Sequence, residues 1–166
     1  MHTTAVLTVS DSVFHKTRED LSGPVVRHTL AQAGFEIIET ATVPDEVLQI
    51  KSALLRLCES ARFVVTTGGT GISPRDVTPE ATMAIADKIL DGVAELMRTA
   101  GLKKTRFAPL SRAVCVTRGQ CLILNLPGSP SGAAESLAAV IQTIPHALDL
   151  LAGKTQHHGS IEPSNV

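Results

Sequence analysis

The sequence is poor in aromatic side chains: it has no tryptophan, no tyrosine and four phenylalanines in 166 residues. Proteins that bind single-stranded nucleic acid stack the bases on such side chains, so this shortage argues against that class of protein. The formal net charge is −1, and a chain without a basic excess lacks the attraction that non-specific nucleic-acid binding requires. We therefore predict no nucleic-acid partner.

Long apolar runs and a secretory pattern are also missing. No apolar stretch approaches the roughly 20 residues that a membrane-spanning helix needs. The N-terminus, MHTTAVLTVSDS, has no basic region followed by a long apolar core, so no signal peptide is predicted. We expect a cytoplasmic protein with no membrane partner.

The common patterns of protein metal sites are absent too. The three cysteines, Cys58, Cys115 and Cys121, are an odd number without CxxC spacing, so we predict free, buried thiols in a reducing compartment. The histidines show neither HxxxH nor HExxH spacing, so a zinc site is not predicted.

The length and the order of elements predict one α/β domain over residues 1–152, followed by a loosely ordered, polar C-terminal tail over 153–166. Apolar and β-branched runs predict strands, and amphipathic stretches predict helices between them. The predicted strands are 4–9, 35–43, 62–67, 113–117 and 121–125, and the predicted helices are 21–33, 44–60, one from residue 78, 92–102 and 131–151. This alternation predicts a three-layer αβα fold whose mostly parallel sheet carries an antiparallel hairpin element.

Ligands of such sheets bind beyond the carboxyl ends of the strands. The loops expected at that edge are rich in small, acidic or glycine residues, which suits a polar ligand. They begin at residues 10–12, 44–46, 67–69 and 127–129.

The most informative stretch is TTGGTGISPRDVTPE, residues 66–80. Its glycines, Gly68, Gly69 and Gly71, could let backbone N–H groups approach a phosphate closely. A tight strand-to-helix turn without a ligand explains them equally well. The spacing matches neither the P-loop nor the dinucleotide fingerprint, so neither site is predicted.

Two carboxylates in these loops have two interpretations each. Asp76 could hold Mg²⁺ beside the glycine loop, or it could cap the helix that begins near Thr78. Thr78 already suits the capping position, which favours the functional interpretation. Asp45 could likewise face a metal or cap the helix that follows it.

Other residues at this edge of the sheet could either bind a ligand or have a structural role. Ser10, Asp11 and Ser12 could bind phosphate or a polar ring, or form a solvated loop. Asp20 could close over the same edge or favour the start of a helix. Arg112 could pair with phosphate or be an exposed surface charge.

Taken together, the motifs are similar to those of a known family. The matching stretches are TVSDS (8–12), DLSGP (20–24), VPDE (43–46), TTGGTG (66–71), PRDVTPEAT (74–82), LSR (110–112) and LILNLPGSP (122–130). The chain resembles the molybdopterin adenylyltransferase family, which includes small bacterial molybdenum-cofactor proteins and the G domain of gephyrin and its plant counterpart. Molybdate-insertion enzymes share the TTGG loop but lack the PRDVTPE continuation.

The resemblance implies the fold, the reaction and the roles of several residues. The fold would be of the molybdopterin-binding-domain type, and the reaction would convert molybdopterin and ATP, with Mg²⁺, to adenylyl-molybdopterin and pyrophosphate. Asp45 and Asp76 would be the catalytic, Mg²⁺-holding carboxylates. The phosphate and nucleotide would bind Gly68, Gly69, Thr70 and Gly71. The pterin or nucleotide pocket would be lined by Ser10, Asp11, Ser12, Pro127, Gly128 and Ser129.

The resemblance also implies partners and one alternative. Family members are usually trimers, and the next enzyme of the pathway, a molybdate-insertion enzyme, would take the product. Some bacterial relatives bind molybdopterin without a secure adenylylating role, so a non-catalytic molybdopterin-binding paralogue is the alternative. Retention of both Asp45 and Asp76 favours the enzyme.

Overall fold

Within residues 2–154, which the computed structural model describes, six strands form one mixed sheet. The strands are β1 (Thr3–Val9), β2 (Glu36–Val43), β3 (Phe63–Thr67), β4 (Lys88–Ile89), β5 (Cys115–Arg118) and β6 (Cys121–Leu126). Their order across the sheet is β2-β1-β3-β6-β5-β4. Strands β2, β1, β3 and β6 are parallel, whereas β5 runs antiparallel to both β6 and β4. The predicted sheet is confirmed, with the short strand β4 as an addition.

Helices cover both faces of this sheet. Those in the described residues are α1 (Asp11–Phe14), α2 (Ser22–Gln32), α3 (Val47–Ser60), α4 (Thr78–Met83), α5 (Asp91–Leu102), α6 (Pro130–Val140) and α7 (Ile144–Leu151). One apolar cluster joins α2, α5, α6 and α7 to the sheet, and a second joins α3 and α4 to its other face. The three-layer αβα architecture is therefore confirmed.

Strand β3 shows how the sequence places both layers. Phe63 and Val65 belong to one apolar cluster and Val64 to the other, because successive side chains of a strand point to opposite faces. All of β3 is buried, as expected for a central parallel strand that is covered on both sides. The glycine loop that follows β3 thus starts from a fixed position.

Helix α3 buries one apolar face against the sheet. Its buried residues are Ile50, Ala53, Leu54 and Leu57, which follow the spacing of a single helix face. The amphipathic stretch over 44–60 predicts Leu48 in the same apolar stripe, and this is wrong, because Leu48 is 77% exposed. Two positions before Ile50, it lies about 200° around the helix from that residue and so faces away from the sheet.

The predicted helix over 131–151 is wrong as a single element. The chain forms α6 and α7, separated by residues 141–143. Pro145 lies in the first turn of α7, where its missing N–H costs no helical hydrogen bond. Proline therefore begins a new helix here rather than bending a continuous one.

Three further expectations concern the cysteines, the tail and membrane segments. Cys115 and Cys121 are buried, Cys58 is partly buried, and all three are free thiols. The predicted tail lies outside the described residues from 155 onward, and the boundary at residue 152 stays a prediction. Of the helices described, none has the length and apolar character needed to cross a membrane.

Candidate active site

The carboxyl ends of the parallel strands open into a cavity of about 450 Å³. All four of the polar loops predicted at this edge contribute to it. The lining residues include Ser10, Ser12, Asp45, Gly68, Gly69, Asp76, Gly128 and Ser129. Arg18 and Glu19 also line the cavity, and sequence reasoning missed them because they lie in a charged stretch typical of a solvated loop.

The glycine loop passes so close to its neighbours that side chains do not fit. Gly68 has a φ of +101°, and a Cβ there would lie 2.2 Å from the carbonyl oxygen of Val9. Gly69 has a φ of +65°, and its Cβ would lie 2.3 Å from Oγ1 of Thr78. Both positions require glycine for the turn itself, so the tight-turn interpretation accounts for these two residues.

The N–H groups of the loop differ in what they bind. The Gly68 N–H donates to the carbonyl oxygen of Leu126 at 3.2 Å, so it is already engaged. Within residues 2–154, no hydrogen bond occupies the N–H groups of Gly69, Thr70 or Gly71. The donors that could bind a phosphate are therefore residues 69–71.

Asp45 does not cap helix α3, so the capping interpretation is wrong. The helix begins at Val47 without a side-chain cap. Oδ2 of Asp45 instead accepts a hydrogen bond from the Asp11 N–H at 2.8 Å. The other oxygen, Oδ1, lies 3.1 Å from where a Cβ of Gly69 would be. One carboxylate oxygen is thus held by a neighbouring loop, and the other faces the glycine loop.

Asp76 does not cap helix α4 either. Its Oδ2 accepts a hydrogen bond from the Ser73 N–H at 2.8 Å and lies 2.8 Å from where a Cβ of Gly71 would be. Thr78, predicted as the cap, is the first helical residue, and its hydroxyl donates to the carbonyl oxygen of Gly68 at 2.9 Å. Asp45 and Asp76 therefore approach the glycine loop from two different loops.

Arg112 stabilises this loop by binding its carbonyl oxygens. The sequence analysis considered only phosphate pairing or an exposed surface charge for this residue. Its Nε donates to the carbonyl oxygen of Gly71 at 2.7 Å, and Nη2 donates to that of Asp76 at 2.6 Å. The guanidinium also pairs with Glu80, and this hydrogen bond holds the pKa of Glu80 below its usual value.

Asp20 both starts a helix and reaches the cavity. Its Oδ1 accepts a hydrogen bond from the Gly23 N–H at 2.9 Å, so Asp20 rather than Ser22 satisfies the start of α2. Its Oδ2 accepts from the Thr8 hydroxyl at 2.7 Å, which ties the helix to the end of β1. Asp20 also lines the cavity, as its ligand interpretation predicted.

Two of the predicted pocket residues do not line this first cavity. Asp11 is absent from the cavity lining and binds Arg75 instead. Pro127 lines a second, more apolar cavity of about 200 Å³ between α5, α6 and the segment before β5. A shallow groove lies between the two cavities: it shares Gly69 and Asp76 with the first, Pro127 with the second, and Ser129 with both.

The second cavity was missed in sequence reasoning. Arg98, Phe107, Ser111 and Ser136 come together there from separate segments of the chain. Of these four, only Ser111, within the LSR motif, gave a signal in the sequence.

Asn125 is another polar residue that sequence reasoning missed. It is fully buried at the end of β6, and Nδ2 donates to the hydroxyls of Thr66 and Thr82 at 3.0 Å each. Its Oδ1 has no partner among the described residues. A buried asparagine inside the apolar run LILNL was the available signal, because an amide in such a strand needs a specific partner.

The donor set at the glycine loop fits a magnesium ion. In the described residues, no group of three or more His, Cys, Asp and Glu side chains could hold a metal by itself. Mg²⁺ differs from zinc because it typically binds one or two carboxylates together with substrate phosphates. Asp45 beside Gly69 and Asp76 beside Gly71, in a loop with free N–H donors, offer that combination.

Asp45 gives a prediction about stability. Burial raises the pKa of Asp45 and outweighs the hydrogen bond from the Asp11 N–H, which lowers it. The charges of Asp11 and Asp76 also raise this pKa, and the charge of Arg75 lowers it. A raised folded-state pKa means that the ionised form costs stability above that pKa, and that the cost disappears as the pH falls through it. We expect Asp45→Asn, whose amide oxygen can still accept from Asp11, to raise the melting temperature at neutral pH.

The measurement is thermal unfolding of both proteins from about pH 8 down to about pH 4, where ordinary aspartates begin to protonate. The difference should shrink as the pH falls. Asp87→Asn is a matched control, because Asp87 is exposed and accepts from the Gly119 N–H. A lower melting temperature for Asp45→Asn at neutral pH would contradict this electrostatic account.

Comparisons with known proteins agree with the geometry. A sequence model of a family described as a probable molybdopterin binding domain matches residues 5–146. The chain is 41% identical over 152 residues to the molybdopterin adenylyltransferase of Helicobacter pylori strain J99, covering 89% of this chain and 86% of that protein. It is 38% identical over 165 residues to that of Escherichia coli K12, covering 89% and 84%.

A solved structure extends this similarity to the fold. The molybdopterin biosynthesis enzyme MoaB from Thermus thermophilus superposes with a TM-score of 0.87 at 48% identity, over 93% of this chain and 98% of that one. The resemblance drawn from the motifs is confirmed.

Proposed function

The chain belongs to the family described as a probable molybdopterin binding domain, and on this premise we propose that it is a molybdopterin adenylyltransferase. The reaction transfers the AMP unit of ATP to the terminal phosphate of molybdopterin and releases pyrophosphate. The observation that carries the proposal is the placement of Asp45 beside Gly69 and of Asp76 beside Gly71, two residues whose backbone N–H groups are free. That site occurs in a chain 41% identical to a molybdopterin adenylyltransferase.

The two cavities suggest where each substrate binds. The larger one, about 450 Å³ and lined by acidic and hydroxyl side chains, would take the nucleotide. The smaller, more apolar one, about 200 Å³, would take the pterin ring system. Because the groove along Gly69 and Asp76 joins them, the terminal phosphate of the pterin and the α-phosphate of ATP would meet at the glycine loop.

The chemistry requires positioning and charge neutralisation rather than a protein nucleophile. An oxygen of the molybdopterin phosphate attacks the α-phosphorus, and the bond from that phosphorus to the oxygen of the pyrophosphate group breaks. The N–H groups of residues 69–71 would bind phosphate oxygens, and Asp45 and Asp76 would hold the metal. When bound, Mg²⁺ would supply positive charge against the phosphates.

Pyrophosphate release tests this proposal directly. We expect the purified protein, supplied with molybdopterin, ATP and Mg²⁺, to release pyrophosphate, and we expect no release when molybdopterin is omitted. Tight binding of molybdopterin without release would favour the binding-only paralogue instead. The pairing of Asp45 with Asp76 favours the enzyme, because a protein that only binds the pterin has no need of a metal site.

The proposal includes an assembly and a cellular setting. We propose a cytoplasmic homotrimer that passes its product to a molybdate-insertion enzyme, as the family resemblance implies. Large apolar side chains on the surface, such as Leu48, Ile72 and Leu150, support association between copies. Light scattering coupled to size-exclusion chromatography measures the mass of the assembly, and a monomer would contradict this part of the proposal.

A further inference from the structure

We propose that Asp11 and Arg75 are positioning residues that orient the Asp45 carboxylate toward the glycine loop. This inference rests on the proposed function, because it assigns Asp45 to the metal-nucleotide site. The residues lie in three separate segments: Asp11 begins α1 just after β1, Asp45 follows β2, and Arg75 lies beside Asp76 in the segment after β3.

Asp11 and Asp45 bind each other reciprocally. The Asp11 N–H donates to Oδ2 of Asp45 at 2.8 Å, and the Asp45 N–H donates to Oδ1 of Asp11 at 3.0 Å. Each carboxylate thus fixes the backbone of the other loop. With Oδ2 held in this way, only Oδ1 of Asp45 is directed toward Gly69.

Arg75 holds Asp11 in the rotamer that this exchange needs. Nε donates to Oδ2 of Asp11 at 3.0 Å, and Nη2 donates to Oδ1 at 2.9 Å. Such a two-pronged contact fixes the plane of a carboxylate as well as its position. Nη1 also donates to Glu46 at 3.1 Å, the residue next to Asp45, so Arg75 contacts both of the other loops.

Stability alone does not explain this arrangement. The side chains of Arg75 and Asp11 are 55% and 39% exposed, and exposed ion pairs contribute little to the free energy of unfolding. The geometric effect is larger, because Asp11 is the group that holds Asp45. Without Arg75, the Asp11 carboxylate is free to rotate, and the oxygen that Asp45 directs at the metal loses its fixed orientation.

The test compares Arg75→Gln, Asp11→Asn and the double variant with the wild type. Calorimetric titration gives the ATP dissociation constant with Mg²⁺ and with EDTA, and the ratio of the two measures the metal-dependent affinity. We take this ratio as the dissociation constant in EDTA divided by that with Mg²⁺. We expect it to be about 10- to 100-fold smaller in each variant than in the wild type, as is typical when the partner of a metal ligand is removed. ATP binding in EDTA should stay unchanged, and the double variant should be no worse than either single one.

Arg56→Gln is the matched control. Arg56 pairs with Glu39 on the surface and is 54% exposed, close to the value for Arg75, but it does not line either cavity. The metal-dependent affinity of Arg56→Gln for ATP should equal that of the wild type. Steady-state kinetics should show a higher KM for Mg-ATP in the Arg75 and Asp11 variants, whereas loss of folded protein would lower kcat alone.

Several outcomes would overturn the inference. Unchanged ratios in both single variants would show that the pair is only a surface contact. A large loss in Arg75→Gln with none in Asp11→Asn would show that Arg75 contacts the nucleotide directly. A wild type that binds Mg-ATP but never transfers AMP would reject the proposed function, while the binding ratios would still decide the role of the pair.

Discussion

Replacing Asp76 by asparagine is expected to lower the rate of adenylyl transfer by about 100- to 1,000-fold, the range found when one preorganised charge-stabilising group is removed. The amide oxygen can still accept the hydrogen bond from the Ser73 N–H, so the loop should keep its shape. What disappears is the negative charge beside Gly71 that would hold the metal. Asp76→Ala should abolish transfer as well, because it removes both the charge and the oxygen.

The comparison that isolates this effect uses pyrophosphate release by Asp76→Asn and by Asp87→Asn. Asp87, like Asp76, is an aspartate that accepts a backbone N–H, but it is exposed and lies in neither cavity. Circular dichroism and melting temperature check that both variants are folded. Wild-type turnover in Asp76→Asn would remove this residue from the chemistry.

Replacing Gly68 by alanine is expected to destabilise the protein by about 3 kcal/mol or more. A positive φ strains a residue with a side chain, and the methyl group would lie 2.2 Å from the Val9 carbonyl oxygen, a clash with backbone that cannot rotate away. For a chain of this size that free-energy change lowers the melting temperature by roughly 6–12 °C. Activity should fall too, because the loop carries the phosphate donors.

Gly119→Ala is a control that measures the backbone strain of a positive φ without a steric clash of the added methyl group. Gly119 also has a positive φ, +54°, but no atom lies near its added Cβ. Its loss of stability should therefore be about 1 kcal/mol, from strain alone. If thermal unfolding showed that Gly68→Ala loses only about 1 kcal/mol of stability as well, the close contact between Gly68 and β1 would be contradicted.

The architecture could be predicted because every strand except the two-residue β4 carries its own signal. Val64 and its neighbours form a continuous apolar run, and such runs alternating with amphipathic stretches leave few arrangements other than a covered parallel sheet. Once the strands are placed, the loops after β1, β2, β3 and β6 must meet at one edge. The location of the site therefore followed from local patterns.

The contacts within the site could not be predicted in the same way. Asp45 and Asp76 each stand where a helix cap is expected, and capping depends on the nearest N–H, which the sequence does not reveal. In the structure Asp45 is bound by Asp11, 34 positions earlier in the chain. Arg112 likewise finds its acceptors at Gly71 and Asp76, far from its own segment.

The break between α6 and α7 shows a related limit. The sequence over 131–151 is apolar enough for one helix, and Pro145 is compatible with either a bend or a new start. In the structure the chain breaks at residues 141–143 and α7 begins at Ile144, so Pro145 lies in a first helical turn. The sequence alone does not distinguish this start from a bend.

Transfer of label from ATP carrying ³²P at the α-phosphate tests the central claim most directly. In a single turnover with molybdopterin and Mg²⁺, the account predicts that the label moves to molybdopterin in step with the release of unlabelled pyrophosphate. It predicts that both events are about 100- to 1,000-fold slower in Asp76→Asn. Label that remains in ATP while both substrates are bound to the wild-type protein would contradict the account.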